Sequence, residues 1–250
     1  MSNSLKLQPI RRRLKLKEVA YRRVKGLLLG GKMQSGSIIS ASKVAQALGI
    51  SRTPVREALL EVVHEGLLKV IPHRGFMVPA MSLSEAREVF WLRRVLERAI
   101  VREICGKLGP EDFKELENMV QFQESAIAES DAVGFLEYDI KFHLALAERT
   151  GFRHLIAIMR NVRDLTMLLG AGALTQPGRM VEVVDEHRAI VEALRQQDRG
   201  GAEKAMEAHL ARTYWSVGAF LSKTNSPLSV GTGLREIARS RRKRRVFRPE

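Results

Sequence analysis

Apolar residues recur three and four positions apart, segment after segment, from Met81 to about residue 222. Strand-like alternation of apolar and polar residues is absent from this stretch. A chain with this period over more than half its length must bury its stripes helix against helix, so residues 80–225 are expected to form an all-α antiparallel helical bundle. The expected helices are a long one ending near Lys107, then 111–130, 131–149, 152–169, 178–197 and 200–222. Breakers stand between them: Gly109-Pro110, Thr150-Gly151, GAGAL (170–174), QPG (176–178) and DRGG (198–201). Ser82-Leu83-Ser84-Glu85 has the spacing of a capping box at the start of the first helix.

Four of the six histidines lie in this region. Asp139 and His143, in DIKFH, are one turn apart on one helix face. His187, in DEHRAI, and His209, in MEAHL, belong to two other helices with strong apolar stripes. All four side chains could therefore reach one interior. Three neutral imidazoles and a carboxylate suit a divalent ion and leave one or two positions open at five- or six-coordination. Spacing alone leaves the other reading equally open, in which each histidine is simply hydrogen-bonded. His154 falls outside the pattern.

The N-terminal third has a different character. Residues 1–80 hold 15 Lys/Arg against 4 Asp/Glu, residues 81–225 hold 19 against 22, and residues 226–250 hold 8 against 2. The net charge of +14 thus sits in an N-terminal module and a C-terminal tail, which points to a polyanionic partner for the module. Residues 16–29 have helical spacing, with Leu16, Val19, Ala20, Val24, Leu27 and Leu28 as the apolar set. Ser40 or Ser42 can cap a short helix ending at Leu48, with Gly49 as its left-handed stop. A third helix starts near Ser51–Pro54, where a proline in the first turn gives up no hydrogen bond. Val55, Leu59, Val62 and Val63 form its buried face, and Arg52 and Arg56 point away from it. Two short helices around a glycine turn, the second with cations near its start, describe a helix-turn-helix. Arginine there can donate two parallel hydrogen bonds to guanine O6 and N7, and Thr53 can meet a phosphate or a thymine methyl. LLKVIPHRGFMV (67–78) reads as a β-hairpin, a wing with Arg74 at its tip.

Residues 48–78, LGISRTPVREALLEVVHEGLLKVIPHRGFMV, resemble the winged helix-turn-helix of the GntR family of bacterial transcription regulators. GGKMQSGSIIS before them is similar to that family's linker, with Ser35 where proline is common. The resemblance implies that Arg52, Thr53 and Arg56 read DNA, with Ser51 near the backbone and Arg74–Gly75 at the wing tip. YDIKFHLALAERTG, EHRAIVEALRQQDRGGAEKAMEAHL and VFWLRRVLERAI resemble the FCD-type effector domain of the FadR branch of that family. That likeness implies a divalent metal (zinc, nickel or manganese) on Asp139, His143, His187 and His209. It also implies a small carboxylic or hydroxy acid effector paired with Arg93, or with the neighbouring Arg94. Phe152 follows Gly151 where the family often has asparagine, a departure that points to a less polar effector.

These readings divide the chain into a flexible basic arm (1–14), a winged helix-turn-helix (15–79), the helical effector and dimerisation domain (80–225) and a disordered basic tail (226–250). The function they predict is a ligand-responsive regulator, a repressor, that binds double-stranded DNA at an inverted repeat as a homodimer. A metal-dependent enzyme using the same Asp/His set is the alternative. Against it, no general base, nucleophile motif or phosphate loop stands near those residues. An architectural nucleic-acid binder would leave residues 81–225 without a task. A single cysteine, Cys105, and the lack of an apolar run of membrane-spanning length predict a cytoplasmic protein.

Overall fold

The computed structural model describes residues 11–29, 33, 35–79, 82–170, 176 and 178–224, and of residues 11–14, 169–170 and 222–224 it describes the backbone only. The C-terminal tail and residues 1–10 of the N-terminal arm lie outside these. The described residues fall into two compact units, the first ending at Pro79 and the second running from the helix that follows.

The first unit opens with α1 (Arg11–Leu29), which begins four residues earlier than the sequence boundary at residue 15. Its buried residues are Ala20, Val24 and Leu28, a single row of step four, while Val19 and Leu27 face outward. Lys17 pairs with Glu61 at 2.8 Å and Lys25 with Glu65 at 2.9 Å, tying α1 to α3. Ser40 caps α2 (Ala41–Leu48) by accepting from the Lys43 amide, and Gly49 ends the helix at φ 65°. α3 (Arg52–His64) follows after a three-residue turn and buries Pro54, Val55, Ala58, Leu59 and Val62; Val63 is half-buried.

The wing has three strands where the sequence suggested two. β2 (Lys69–Ile71) and β3 (Gly75–Met77) form the expected hairpin, and β1 (Ile38–Ile39) pairs with the other edge of β3 in the order β1-β3-β2. Ile39 lies opposite Phe76, and Ile38 opposite Met77. A strand of two residues is too short to show alternation, so β1 has no periodic signature in the sequence.

The second unit contains α4 (Leu83–Ile104), α5 (Pro110–Ala128), α6 (Ala132–Glu148), α7 (Arg153–Gly170), α8 (Arg179–Arg195) and α9 (Arg199–Thr224). Ser82 and Glu85 form the capping box of α4, each side chain bonded to the other's amide at 3.1 and 2.7 Å. Ion pairs show the antiparallel packing. Arg94 and Arg98 of α4 meet Glu207 and Glu203 of α9, and Arg188 and Arg195 of α8 meet Glu124 and Glu117 of α5. Such exposed pairs contribute at most about 1 kcal/mol each. The cohesion comes from a continuous apolar core that includes Ile100, Leu116, Phe135, Phe142, Ile190 and Leu210. None of the described helices is long and apolar enough to cross a membrane.

Candidate metal centre and nucleic-acid interface

All six helices of the bundle contribute to one buried polar centre. On α6, Asp139 and His143 are separated by one turn and face inward with the apolar stripe of Leu136, Phe142 and Leu146. α8 supplies His187, and α9 supplies His209. The three histidines are each 1% exposed or less, and one ligand atom from each, with one from Asp139, all lie within 4.8 Å of one another. The imidazole centroids are 4.8–5.2 Å apart, and Phe142 stacks on His187 at 4.1 Å.

Each histidine turns its Nδ1 outward to an acceptor on a different helix. His187 Nδ1 is 2.8 Å from Gln123 Oε1 of α5, and His209 Nδ1 is 2.7 Å from Glu186 Oε2 of α8. His143 Nδ1 contacts Glu97 Oε2 of α4. The hydrogen bonds to Gln123 and Glu186 assign the proton to Nδ1 in His187 and His209, and the Glu97 carboxylate beside His143 Nδ1 favours the same tautomer, which turns the Nε2 atoms toward the centre. The Nε2 atoms of His187 and His209 have no hydrogen-bond partner. His187 Nε2 is 3.6 Å, and His143 Nε2 is 3.9 Å, from Asp139 Oδ1. Buried acceptors without donors are costly, about 1–3 kcal/mol each. Converging lone pairs, each fixed by a hydrogen bond behind the ring, are the arrangement that metal-binding histidines adopt. The donor set therefore fits a divalent ion.

Burial and charge act together here. Burial lowers the His143 pKa to about 4, an effect that Glu97 only partly offsets. Burial likewise lowers that of His187, and His209 beside it adds to the shift. Both rings are thus neutral at pH 7, the form that binds metal. Burial pushes the Asp139 carboxyl up, but Arg163 and the histidines override it and hold the pKa below the ordinary range. For Glu97, burial is opposed by Arg93 and His143, and the pKa again ends well below that range. For Glu186, burial is overcome by hydrogen bonds from His209 and Arg179, which bring it down to about 2.

Beside this centre is a cavity of about 40 Å³. Three arginines line it, Arg93, Arg163 and Arg179, each at most 3% exposed, together with Asp139 and His209. Arg93, the effector residue implied by sequence, does reach the cavity, but its Nε is held by Glu97 Oε1 at 2.6 Å and its Nη2 lies 3.4 Å from His143 Nε2. Arg94 is half exposed and pairs with Glu207, so it takes no part. Phe152 is 54% exposed and absent from the cavity lining, so the inference of a less polar effector from this position fails. His154 is exposed, outside the cluster.

Sequence reasoning missed Arg163, Arg179, Glu97, Gln123 and Glu186. Arg163, Glu97 and Gln123 are polar residues on inward stripes, as in Met159-Val162-Arg163-Thr166. Glu97 also follows Arg93 by one turn, and Glu186 directly precedes His187. A polar residue at an apolar position was the available signal for the first three.

Two family descriptions match the chain. Residues 16–78 match "Bacterial regulatory proteins, gntR family", and residues 88–212 match "FCD domain". The chain belongs to the GntR family of bacterial transcription regulators and carries an FCD domain. Among its relatives is the uncharacterized HTH-type transcriptional regulator YdhC of Bacillus subtilis (strain 168), 26% identical over 190 residues, which span 76% of this chain and 85% of YdhC. The HTH-type transcriptional repressor RspR of Escherichia coli (strain K12) is 26% identical over 185 residues, 73% of this chain and 80% of RspR. The solved structure of E. coli McbR/YncC has the same fold, with a TM-score of 0.71 and 24% identity over 84% of this chain and 99% of that one. Relatives and domains alike are transcription regulators, not enzymes, which removes the alternative of a metal-dependent enzyme.

A GntR-type helix-turn-helix binds DNA, and its expected contact residues differ sharply from the buried centre. Ser51 is the N-cap position of α3 but makes no side-chain cap hydrogen bond. Arg52, Thr53 and Arg56 are exposed, and neither arginine has an ion-pair partner among the described residues. Arg74 is exposed in the turn between β2 and β3. Gly75 is not at the tip itself but opens β3 at φ 119°, and a Cβ there would stand 2.4 Å from the Ile39 carbonyl oxygen. Its identity is accounted for by the close approach of β1.

Proposed function

We propose that this regulator is a homodimeric repressor of an inverted-repeat operator, controlled by a small organic acid bound beside a divalent metal. Repression is carried over from RspR, a named transcriptional repressor. The carrying observation is the convergence of Asp139, His143, His187 and His209, the last two with unpartnered Nε2 atoms, beside a cavity walled by three buried arginines. Asp139, His143, His187 and His209 would hold zinc, nickel or manganese, and the ion would offer an open position to a carboxylate. Arg93, held at Nε by Glu97, would donate to that carboxylate from its remaining N–H groups. The cytoplasm is the compartment where such a protein meets DNA.

At the operator, Arg52 and Arg56 would donate to guanine O6 and N7, Thr53 and Ser51 would lie along the adjacent backbone, and Arg74 in the wing would meet a phosphate. Two such modules are needed because half-site spacing on the duplex mirrors the two-fold axis of the protein. Only residues 80–82 of the chain separate Pro79 from α4, the helix that carries Arg93 and Glu97. A displacement of α4 on acid binding has that short link through which to bias the DNA-binding module. Operator affinity of metal-loaded protein, measured with and without a panel of short organic acids, tests the scheme. One acid should change it by roughly 5–150-fold, a coupling of about 1–3 kcal/mol. Operator affinity unaffected by every acid that binds would refute acid control.

A further inference from the structure

We infer that the effector is a dianion, a short dicarboxylate held at both ends, with one carboxylate toward the metal-facing histidines and the other on Arg163. The inference rests on the metal-and-acid reading above and adds the charge class of the ligand. Arg163 is 2% exposed and lines the cavity. Its Nη2 donates to Asp139 Oδ2, but its Nε and Nη1 have no hydrogen-bond partner among the described residues. A guanidinium carries five N–H donors, so three of them are buried here without an acceptor. The other two cavity arginines are already committed to carboxylates. Arg93 is bonded to Glu97, and Arg179 to Glu182, Glu186 and Thr213. An unpaired charged donor set in a dry interior is costly, and an anion that accepts from it removes the cost.

The charge count leads to the same conclusion independently. Around the centre, each of the three buried arginines is ion-paired with a carboxylate, Arg93 with Glu97, Arg163 with Asp139 and Arg179 with Glu186, so the side chains balance one for one before any metal is bound. Glu182 and Arg212 at the rim are each 63% exposed, opposite in sign and screened by water. A divalent ion therefore brings two positive charges that the chain's own residues leave uncompensated. A monocarboxylate would cancel one of them; a dicarboxylate cancels both. The cavity lining also includes the apolar side chains Leu136, Ile140, Met167, Val183 and Val217, which suit a short carbon chain rather than a compact inorganic dianion.

The test uses full-length protein stripped with a chelator and reloaded with zinc or nickel, its metal content checked by elemental analysis before any acid is added. Failure to take up metal would refute the metal reading at that step and take this inference with it. Malonate, succinate and glutarate are then titrated by calorimetry, each against the monoacid of equal chain length (propionate, butyrate, pentanoate), with sulfate as the compact dianion. The best diacid should bind about 10–100-fold more tightly than its monoacid partner, the range for charge-assisted hydrogen bonds. Arg163→Gln should collapse that ratio while metal content stays stoichiometric, and Arg163→Lys, which keeps a cation beside Asp139, should give an intermediate ratio. If no diacid exceeds its partner by about threefold, well under 1 kcal/mol, the proposal is overturned. Sulfate binding as tightly as the best diacid would overturn the two-ended grip. The native series decides the question even if neither variant folds.

Discussion

Arg52 and Arg56 in the first unit and Arg93, Arg163 and Arg179 in the second are the same residue type under opposite physics. The first pair stands in water on the outer face of α3, paired with nothing among the described residues. The second set is buried to within 3% and linked to Glu97, Asp139 and Glu186. An exposed cation keeps its hydration until a polyanion displaces the surrounding ions, so it adds to binding and little to folding. A buried cation is part of the fold, because removing it strands its carboxylate in low dielectric. The comparison teaches that a DNA surface can change its sequence preference at little cost in stability, whereas the ligand centre cannot change one residue without disturbing several.

The sharpest way to break this contrast is at His187. His187→Ala should abolish stoichiometric metal binding and leave Gln123 Oε1 without its donor. We expect the second unit to lose about 2–4 kcal/mol, read as a fall in its thermal transition alongside elemental analysis. A variant that kept one metal per chain would show that the four-residue centre is misassigned.

Acid should act on the same centre with a comparable effect. The His143 pKa is about 4 in the folded protein against 6.5 when exposed, and that of His187 is also lowered. Between those values the unfolded chain binds more protons than the folded one, so stability falls as pH drops from 6.5 toward 4. The loss should be on the order of 3 kcal/mol in metal-free protein. Urea titrations of metal-free protein at several pH values check this, and a flat profile over that window would contradict neutral buried rings. Glu186, at about 2, extends the loss to still lower pH.

Gly75 blurs the contrast, since it lies in the DNA-binding unit yet is fixed by packing. Gly75→Ala should cost the first unit about 1–3 kcal/mol, because φ 119° and the Ile39 carbonyl leave no room for a methyl group. The thermal transition of the second unit should not move; if it is the one displaced, the strain argument is wrong. At the small end, Arg52→Ala and Arg56→Ala should each change folding stability by less than about 0.5 kcal/mol. Each should weaken operator binding by about 1–3 kcal/mol and relax preference at one base position, as measured by a binding-site selection. Uniform weakening across all sequences would make them phosphate contacts.

What the sequence made legible follows the length of each signal. The six helices of the bundle each run for four turns or more, so their apolar period could be read directly, as could the Gly/Pro boundaries at every junction but Glu129–Asp131 between α5 and α6. The capping box at Ser82–Glu85 and the left-handed Gly49 were local chemistry and equally legible. β1 was not, because two residues cannot show alternation and their pairing with Phe76 and Met77 is non-local. On α1, the helical period was plain but not the choice of face, and Val19 and Leu27 ended outside the single row that packs. Of the candidate site, the Asp139/His143 turn and the two remaining histidines were visible as residue types. Their partners were not, because Glu97, Gln123 and Arg163 are joined to them only by tertiary packing between helices distant in the chain.

Glu186 occupies a junction. One oxygen accepts from His209 Nδ1, and both accept from Arg179, which is itself part of the cavity wall. A ligand that draws Arg179 toward itself leaves the carboxylate freer to hold the imidazole proton, which makes the far nitrogen a stronger donor to an ion. Linkage of this kind has no direction: whatever factor the acid adds to the grip on the ion, the ion adds to the grip on the acid. The regulator would then respond to the product of two concentrations, and a cell starved of either component would leave it in the same state.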